Sequence, residues 1–204
     1  MRRRLWSRVA GALIAGLGLA ALPVAVSAPA LAVDACTSRT VSQPFAAWAD
    51  TNDYFPVTSG TFESGAGGWT TGSGVSIVPE NEPWNVAGGG TSSLRIPAGS
   101  SVSTPEMCLT AAEDSTRLFY KSPATGVGLQ VQIKATNSVT HALAQTSFTI
   151  RPSSTPGWQV SSRISLPDVR FSQGMENVVI TLTAPGGGGA WQLDDVFVDP
   201  SRTR

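Results

Sequence analysis

The chain reads as an all-β protein, an antiparallel β-sandwich, and three observations point that way. Beyond residue 32, apolar residues alternate with polar ones. Gly, Pro, Ser, Thr and Asn break this pattern at short intervals, and few stretches hold the spacing a helix needs. Short strands separated by turn residues bury one face against a second sheet, which is the arrangement of a sandwich.

The elements follow in chain order. Residues 1–32 carry Arg2, Arg3, Arg4 and Arg8, an apolar run over 9–22 and the small-residue end Ala30-Leu31-Ala32, with no acid. This is the pattern of a cleavable export signal, and the apolar run is short for the roughly 20 residues of a membrane span. The expected product is secreted, with no membrane attachment after cleavage. Residues 33–60 form an N-terminal extension expected to pack on the sandwich, and residues 61–200 the sandwich itself. Strands are expected at 75–78, 93–96, 101–104, 117–121, 128–134, 144–150, 159–166, 177–182 and 191–198. Parity assigns Phe62, Trp69, Ile77, Leu94 and Leu118 to the core, with Leu129, Val131 and Ile133 after them. Phe148, Ile150, Ile164, Leu166, Val178, Ile180, Leu182, Leu193, Val196 and Val198 complete the expected interior.

The whole chain has 14 basic and 14 acidic residues. Four of the basic residues are the leader's arginines, so the exported part is mildly acidic. It carries no Lys/Arg stripe to neutralise phosphates, and nucleic acid is not an expected partner. The two cysteines, Cys36 and Cys108, are expected to form one disulfide in an oxidising compartment. Closing a loop of about 70 residues stabilises by on the order of 4 kcal/mol in the chain-entropy account. A redox or zinc pair would want Cys-x-x-Cys spacing and neighbouring His, which are absent here.

Two segments carry a resemblance. Thr61-Phe62-Glu63-Ser64-Gly65 with Gly68-Trp69-Thr70 resembles the opening of jelly-roll carbohydrate-binding modules of the cellulose- and xylan-binding type. The stretch from Trp191 to Val198, with Asp194-Asp195-Val196 inside it, resembles their closing strand. Ser92-Ser93-Leu94 and Ile164-Ser165-Leu166-Pro167 fall where those modules place matching strands. The resemblance spans about residues 60–200 and implies a jelly-roll, galactose-binding-like sandwich. The exported chain as a whole also resembles a family of uncharacterised exported bacterial proteins, which brings no activity with it.

The jelly-roll resemblance further implies a structural Ca²⁺ joining the first and last strands. Its expected ligands are Glu63 and Asp194, with Asp195 adjacent. Two neighbouring residues on a regular strand point to opposite faces, so only one aspartate is expected to serve. The alternative is that Glu63 caps a turn and one aspartate is solvated.

Sugar rings stack their C–H faces on indole and phenol rings, while their hydroxyls need amides and carboxylates. Trp84 lies in Glu80-Asn81-Glu82-Pro83-Trp84-Asn85, where two acids and two amides flank the indole. It is the expected stacking residue, with Asn81, Glu82 and Asn85 around it and Trp48 and Tyr54 as second choices. The competing reading of Trp48 and Tyr54 is that the extension uses them to cover one sheet. Trp69 and Trp158 read as packing residues. Gln130, Gln132, Tyr120 and Lys121, on strand exteriors, are candidates to line a solvent-facing concave sheet, the competing reading being that they are simply exposed.

Catalysis is not expected. The one histidine, His141, sits in a hairpin turn, and no Gly-x-Ser-x-Gly elbow is present. The expected function is non-catalytic binding of an extracellular or cell-wall glycan. The alternative is a protein-interaction or envelope-associated structural domain, with another extracellular protein as partner. The sequence leaves the oligomeric state open.

Overall fold

The computed structural model describes residues 36, 39–110, 113–124, 126–167 and 176–199. The expected export leader lies outside them. The described residues carry thirteen strands and a 3-10 turn at Ala46–Trp48. The strands are β1 (Phe55–Pro56), β2 (Thr70–Thr71), β3 (Ser76–Val78), β4 (Ser93–Ile96), β5 (Ser100–Ser103), β6 (Met107–Leu109) and β7 (Ser115–Lys121). After them come β8 (Leu129–Asn137), β9 (Leu143–Ile150), β10 (Trp158–Val160), β11 (Ile164–Ser165), β12 (Glu176–Ala184) and β13 (Trp191–Asp199). None of the described helices is long and apolar enough to cross a membrane.

The strands form two antiparallel sheets. The first runs β10-β7-β13-β4-β3, with β1 added on β13 and β11 on β7. The second runs β2-β5-β12-β8-β9, with β6 on β12. From β7 onward the chain crosses repeatedly between the sheets, as a jelly roll does. The interior comes from alternation. In β8, Leu129, Val131, Ile133 and Ala135 are buried while Gln130, Gln132 and Lys134 face solvent. Opposite them, β13 contributes Trp191, Leu193, Val196 and Val198. The β4–β5 turn reverses at Gly99, whose φ of 82° suits glycine and whose N–H donates to Ala184 O at 2.7 Å.

The expected core residues are buried with four exceptions. Phe148, Ile150 and Leu166 are half-buried, and Ile77 is 38% exposed. Ile77 lies on β3, a three-residue strand at the sheet margin, so no neighbouring strand covers its outer side. The stretch expected as one strand over 159–166 is two, β10 and β11, both paired to β7. Between them Ser161 is buried, its carbonyl accepting two Arg117 N–H groups.

The outward face of the first sheet is covered. Phe119 of β7 and Phe197 of β13 point away from the main core and are buried under Phe45 and Tyr54 of the N-terminal segment. Phe45 stacks on Phe119 at 5.5 Å and meets Phe197 and Tyr54 edge-on at 5.6 and 4.8 Å. The segment is anchored by an antiparallel bridge from Ser42 to Tyr54, by β1 pairing with β13, and by the Cys36–Cys108 disulfide. As a result β13 is buried on both faces.

Candidate functional site

The loop from Glu80 to Ser92 joins β3 to β4 and is organised by one carboxylate. Glu82 is 1% exposed. Its side chain accepts the N–H of Trp84 and, at 2.8 Å, that of Val86. Its own N–H donates to Asp194 Oδ2 at 3.1 Å, which fastens the loop to β13. Asn81 Nδ2 donates to Glu82 O at 2.8 Å and to Asn85 Oδ1 at 3.3 Å. Asn85 takes φ 53°, a left-handed conformation that Asn tolerates better than most residues. Pinned in this way, the loop turns Trp84 outward.

Trp84 is 44% exposed. On its protein side the indole meets Trp48 edge-on at 5.0 Å and Phe119 at 5.4 Å. Trp48, half-buried on the 3-10 turn, also contacts Phe119 at 5.4 Å. Two indoles from distant segments are thus joined over one phenylalanine of β7. At the start of the loop Glu80 forms an ion pair with Lys121 of β7 at 2.5 Å, and the hydrogen bond from Lys121 holds the Glu80 carboxyl below the usual range.

The structure separates the expected ligand-binding residues. Trp84 and Asn85 are exposed, and Asn81 and Trp48 are half-buried around the same loop. Glu82 and Tyr54 do not offer themselves to a ligand. Glu82 is spent on the loop's own amides, and Tyr54 is fully buried with its hydroxyl donating to Asp50 at 2.8 Å. Tyr54 packs with Phe45 over the outward face of the first sheet.

The expected metal ligands also differ from expectation in one respect. The register of β13 against β7 shifts between Asp194 and Phe197, and Asp195 has φ 47°. This β-bulge cancels the rule that neighbouring residues face opposite ways. Asp194 and Asp195 are both buried, and both feel the charge of Glu82. Burial is the main cause that raises Asp194 to about 7 and Asp195 to about 8, with like charge adding to it. Glu63 also raises Asp194, while its own carboxylate accepts the N–H groups of Thr91 and Ser92 at 3.0 and 2.9 Å. A methyl group at Gly90 would collide with the Glu63 carboxylate and the Asn81 side-chain amide oxygen. The donor set is all oxygen, which suits a hard cation such as Ca²⁺. Among the described residues, however, no three His, Cys, Asp or Glu side chains are grouped so as to hold a metal ion between them.

Two depressions lie elsewhere. One, of about 380 Å³, is lined by residues 49–52 with Arg117 and Arg163. There Arg117 donates to Asp50 at 2.6 Å and Arg163 to Asp199 at 2.6 Å. Sequence reasoning missed this network because Arg117 reads as an exterior strand residue; the covering segment buries it. The other, of about 370 Å³, lies on the second sheet and includes Gln130, Gln132, Ser147, Thr149, Thr181 and Thr183. Gln130 and Gln132 thus sit on an amide and hydroxyl surface, whereas Tyr120 and Lys121, expected to share it, are on β7 of the other sheet.

No family model matches the chain, and no curated protein matches it. Among solved structures it is similar to the module TmCBM61 in complex with β-1,4-galactotriose, at 16% identity and a TM-score of 0.46, covering 70% of this chain and 95% of that one. It is similar to a family 16 carbohydrate-binding module at 18% identity and a TM-score of 0.47, covering 70% and 97%. A third is the second xylan-binding CBM22 domain of Paenibacillus barcinonensis Xyn10C, at 15% identity and a TM-score of 0.44, covering 69% and 96%.

Proposed function

We propose that the chain is an exported, non-catalytic glycan-binding domain whose platform is Trp84. The observation that carries this reading is that one indole is both 44% exposed and backed by Trp48 and Phe119. A sugar's C–H face stacks on such a ring. The amides of Asn81 and Asn85 and the Glu80 carboxylate, paired with Lys121, belong to the same loop and would meet hydroxyls. Because Glu82 already orders the loop, little conformational freedom is lost on binding.

Ca²⁺ belongs to the same reading as a structural ion. Asp194 and Asp195 would supply two of its ligands, and backbone carbonyls or water would complete the shell. What it would supply is neutralisation of the buried acids beneath the loop. The support is the all-oxygen donor set and the burial that raises both aspartates, to which the charge of Glu82 adds.

The test is co-sedimentation with insoluble cell-wall polysaccharides, alongside a glycan array. Trp84→Ala should weaken binding by on the order of 10-fold, since stacking on an aromatic platform contributes up to about 1.5 kcal/mol beyond the apolar area buried. If no glycan is retained, or if Trp84→Ala binds as well as the parent, the glycan reading fails and a protein partner takes its place.

A further inference from the structure

Edge strands expose a row of unpaired N–H and C=O groups, and proteins blunt them by shortness, charge, proline or bulges. Most edges of this molecule follow that rule. β2, β3, β10 and β11 are two or three residues long. β9 does not. It ends the second sheet, and among the described residues no strand pairs with its outer side. It runs for eight residues, Leu-Ala-Gln-Thr-Ser-Phe-Thr-Ile, with no charge and no proline. Its register against β8 is unbroken from Leu143 to Ile150, so no bulge turns it away.

Burial along β9 makes the same point. The core-facing residues of β8 are fully buried, whereas those of β9, Ala144, Thr146, Phe148 and Ile150, are only half-buried. Phe148 packs on the main core with one side open. Leu143, where the strand begins, is 59% exposed. A further strand laid alongside would pair the backbone groups and cover these side chains together.

We propose that β9 is a homotypic docking edge, pairing antiparallel with β9 of a second copy about a twofold axis through Thr146. Two features favour a second copy as the occupant. An uncharged strand opposes no like charges when it meets itself. Pairing centred on Thr146 also keeps each residue on its own face: Ala144 lies opposite Phe148 on the core side and Gln145 opposite Ser147 on the solvent side. Odd-offset registers would turn core-side residues to solvent. An eight-residue pair is small beside the ~1,200–2,000 Å² of a stable interface, so the dimer is weak and concentration-dependent. The proposal is independent of what Trp84 binds.

Sedimentation velocity across a concentration series tests it. The parent protein should pass from monomer to dimer at roughly tens to hundreds of micromolar. Gln145→Lys with Ser147→Lys places lysines opposite lysines at two exposed positions of the dimer and should weaken it by on the order of tenfold, while the new lysine at 145, which faces Lys134 of β8, should lower the melting temperature only slightly. Gln145→Glu with Ser147→Glu should weaken the dimer likewise, and mixing the Lys and Glu proteins should restore a heterodimer. A parent that stays monomeric at its highest soluble concentration overturns the proposal. So does a dimer indifferent to the lysines, or a mixture of the two variants that does not associate.

Discussion

Asp195→Asn should stabilise this protein at alkaline pH and do little at acid pH. In the fold Asp195 is raised to about 8 from an ordinary 3.8, mainly by burial, then by the charges of Asp194 and Glu82. A carboxyl whose folded pKa is raised binds more protons in the folded than in the unfolded state between those two values. Its contribution is therefore intact below about pH 4 and is lost as pH rises through about 8. At 1.36 kcal/mol per unit the ceiling on that loss is roughly 5–6 kcal/mol, and relaxation of the loop brings the expected effect to about 2 kcal/mol. Asparagine keeps the geometry. Its amide can donate to Glu82 where the protonated acid does, and its carbonyl can accept from Ala87 N–H. Asn also tolerates the left-handed φ of 47°. The assay is urea unfolding in a chelator at pH 4.5 and 9. A gain of about 2 kcal/mol at pH 9 with near equality at pH 4.5 is expected, equivalent to about 4–8 °C in Tm. Equal effects at both pH values, or a loss at pH 9, would refute the electrostatic account of this cluster.

Adding Ca²⁺ at pH 8 should raise the melting temperature of the parent and leave that of Asp195→Asn nearly unchanged, as read by differential scanning calorimetry; a parent unmoved by Ca²⁺ removes the ion from the proposed function. Phe45→Ala should cost about 3–5 kcal/mol, because Phe45 is fully buried against three aromatic rings and lies 4.4 Å beneath the Arg117 guanidinium. The same substitution should weaken glycan binding without touching Trp84, since Trp48 packs on Phe45 at 6.4 Å. Urea unfolding and polysaccharide co-sedimentation of this variant check the two halves separately.

The parts of the fold that were legible are those where one strand face meets the core and the other meets water. β8 is the clear case, with three apolar residues in register and Gln130, Gln132 and Lys134 opposite them. Alternation misleads where that premise fails. β13 is buried on both sides, so Phe197 joins a second interior and Asp199 a buried polar network, although period-two reasoning assigns both to solvent. Ile77 errs the other way, because alternation cannot say that a strand is short and marginal. The two-residue strands β1 and β2 are too short for any periodicity to show. At the site, the exposure of Trp84 was legible from its polar neighbours and a covering Tyr54 was one of two readings, but the buried role of Glu82 was not legible, since residue type alone does not separate a hydrogen-bonded buried side chain from an exposed one. The Asp195 bulge was hidden for a related reason: no glycine marks it, and an Asp pair on a regular strand would have split across the sheet.

The second interior ties the proposed binding surface to the N-terminal segment. Phe119 touches Phe45, Trp48 and Trp84, so it joins the covering segment to the exposed indole. Glu82 makes a second link, fastening the same loop to β13 through Asp194. The platform is therefore held from two sides, by aromatic packing above the first sheet and by a buried carboxylate bond to its central strand. Each support has its own chemical sensitivity: the aromatic one responds to loss of the N-terminal cover, the acidic one to pH and to cations. A rigid indole needs both, because an edge-on contact with Trp48 fixes where the ring lies but leaves the loop's backbone free to rotate, while the carboxylate fixes the backbone but not the ring.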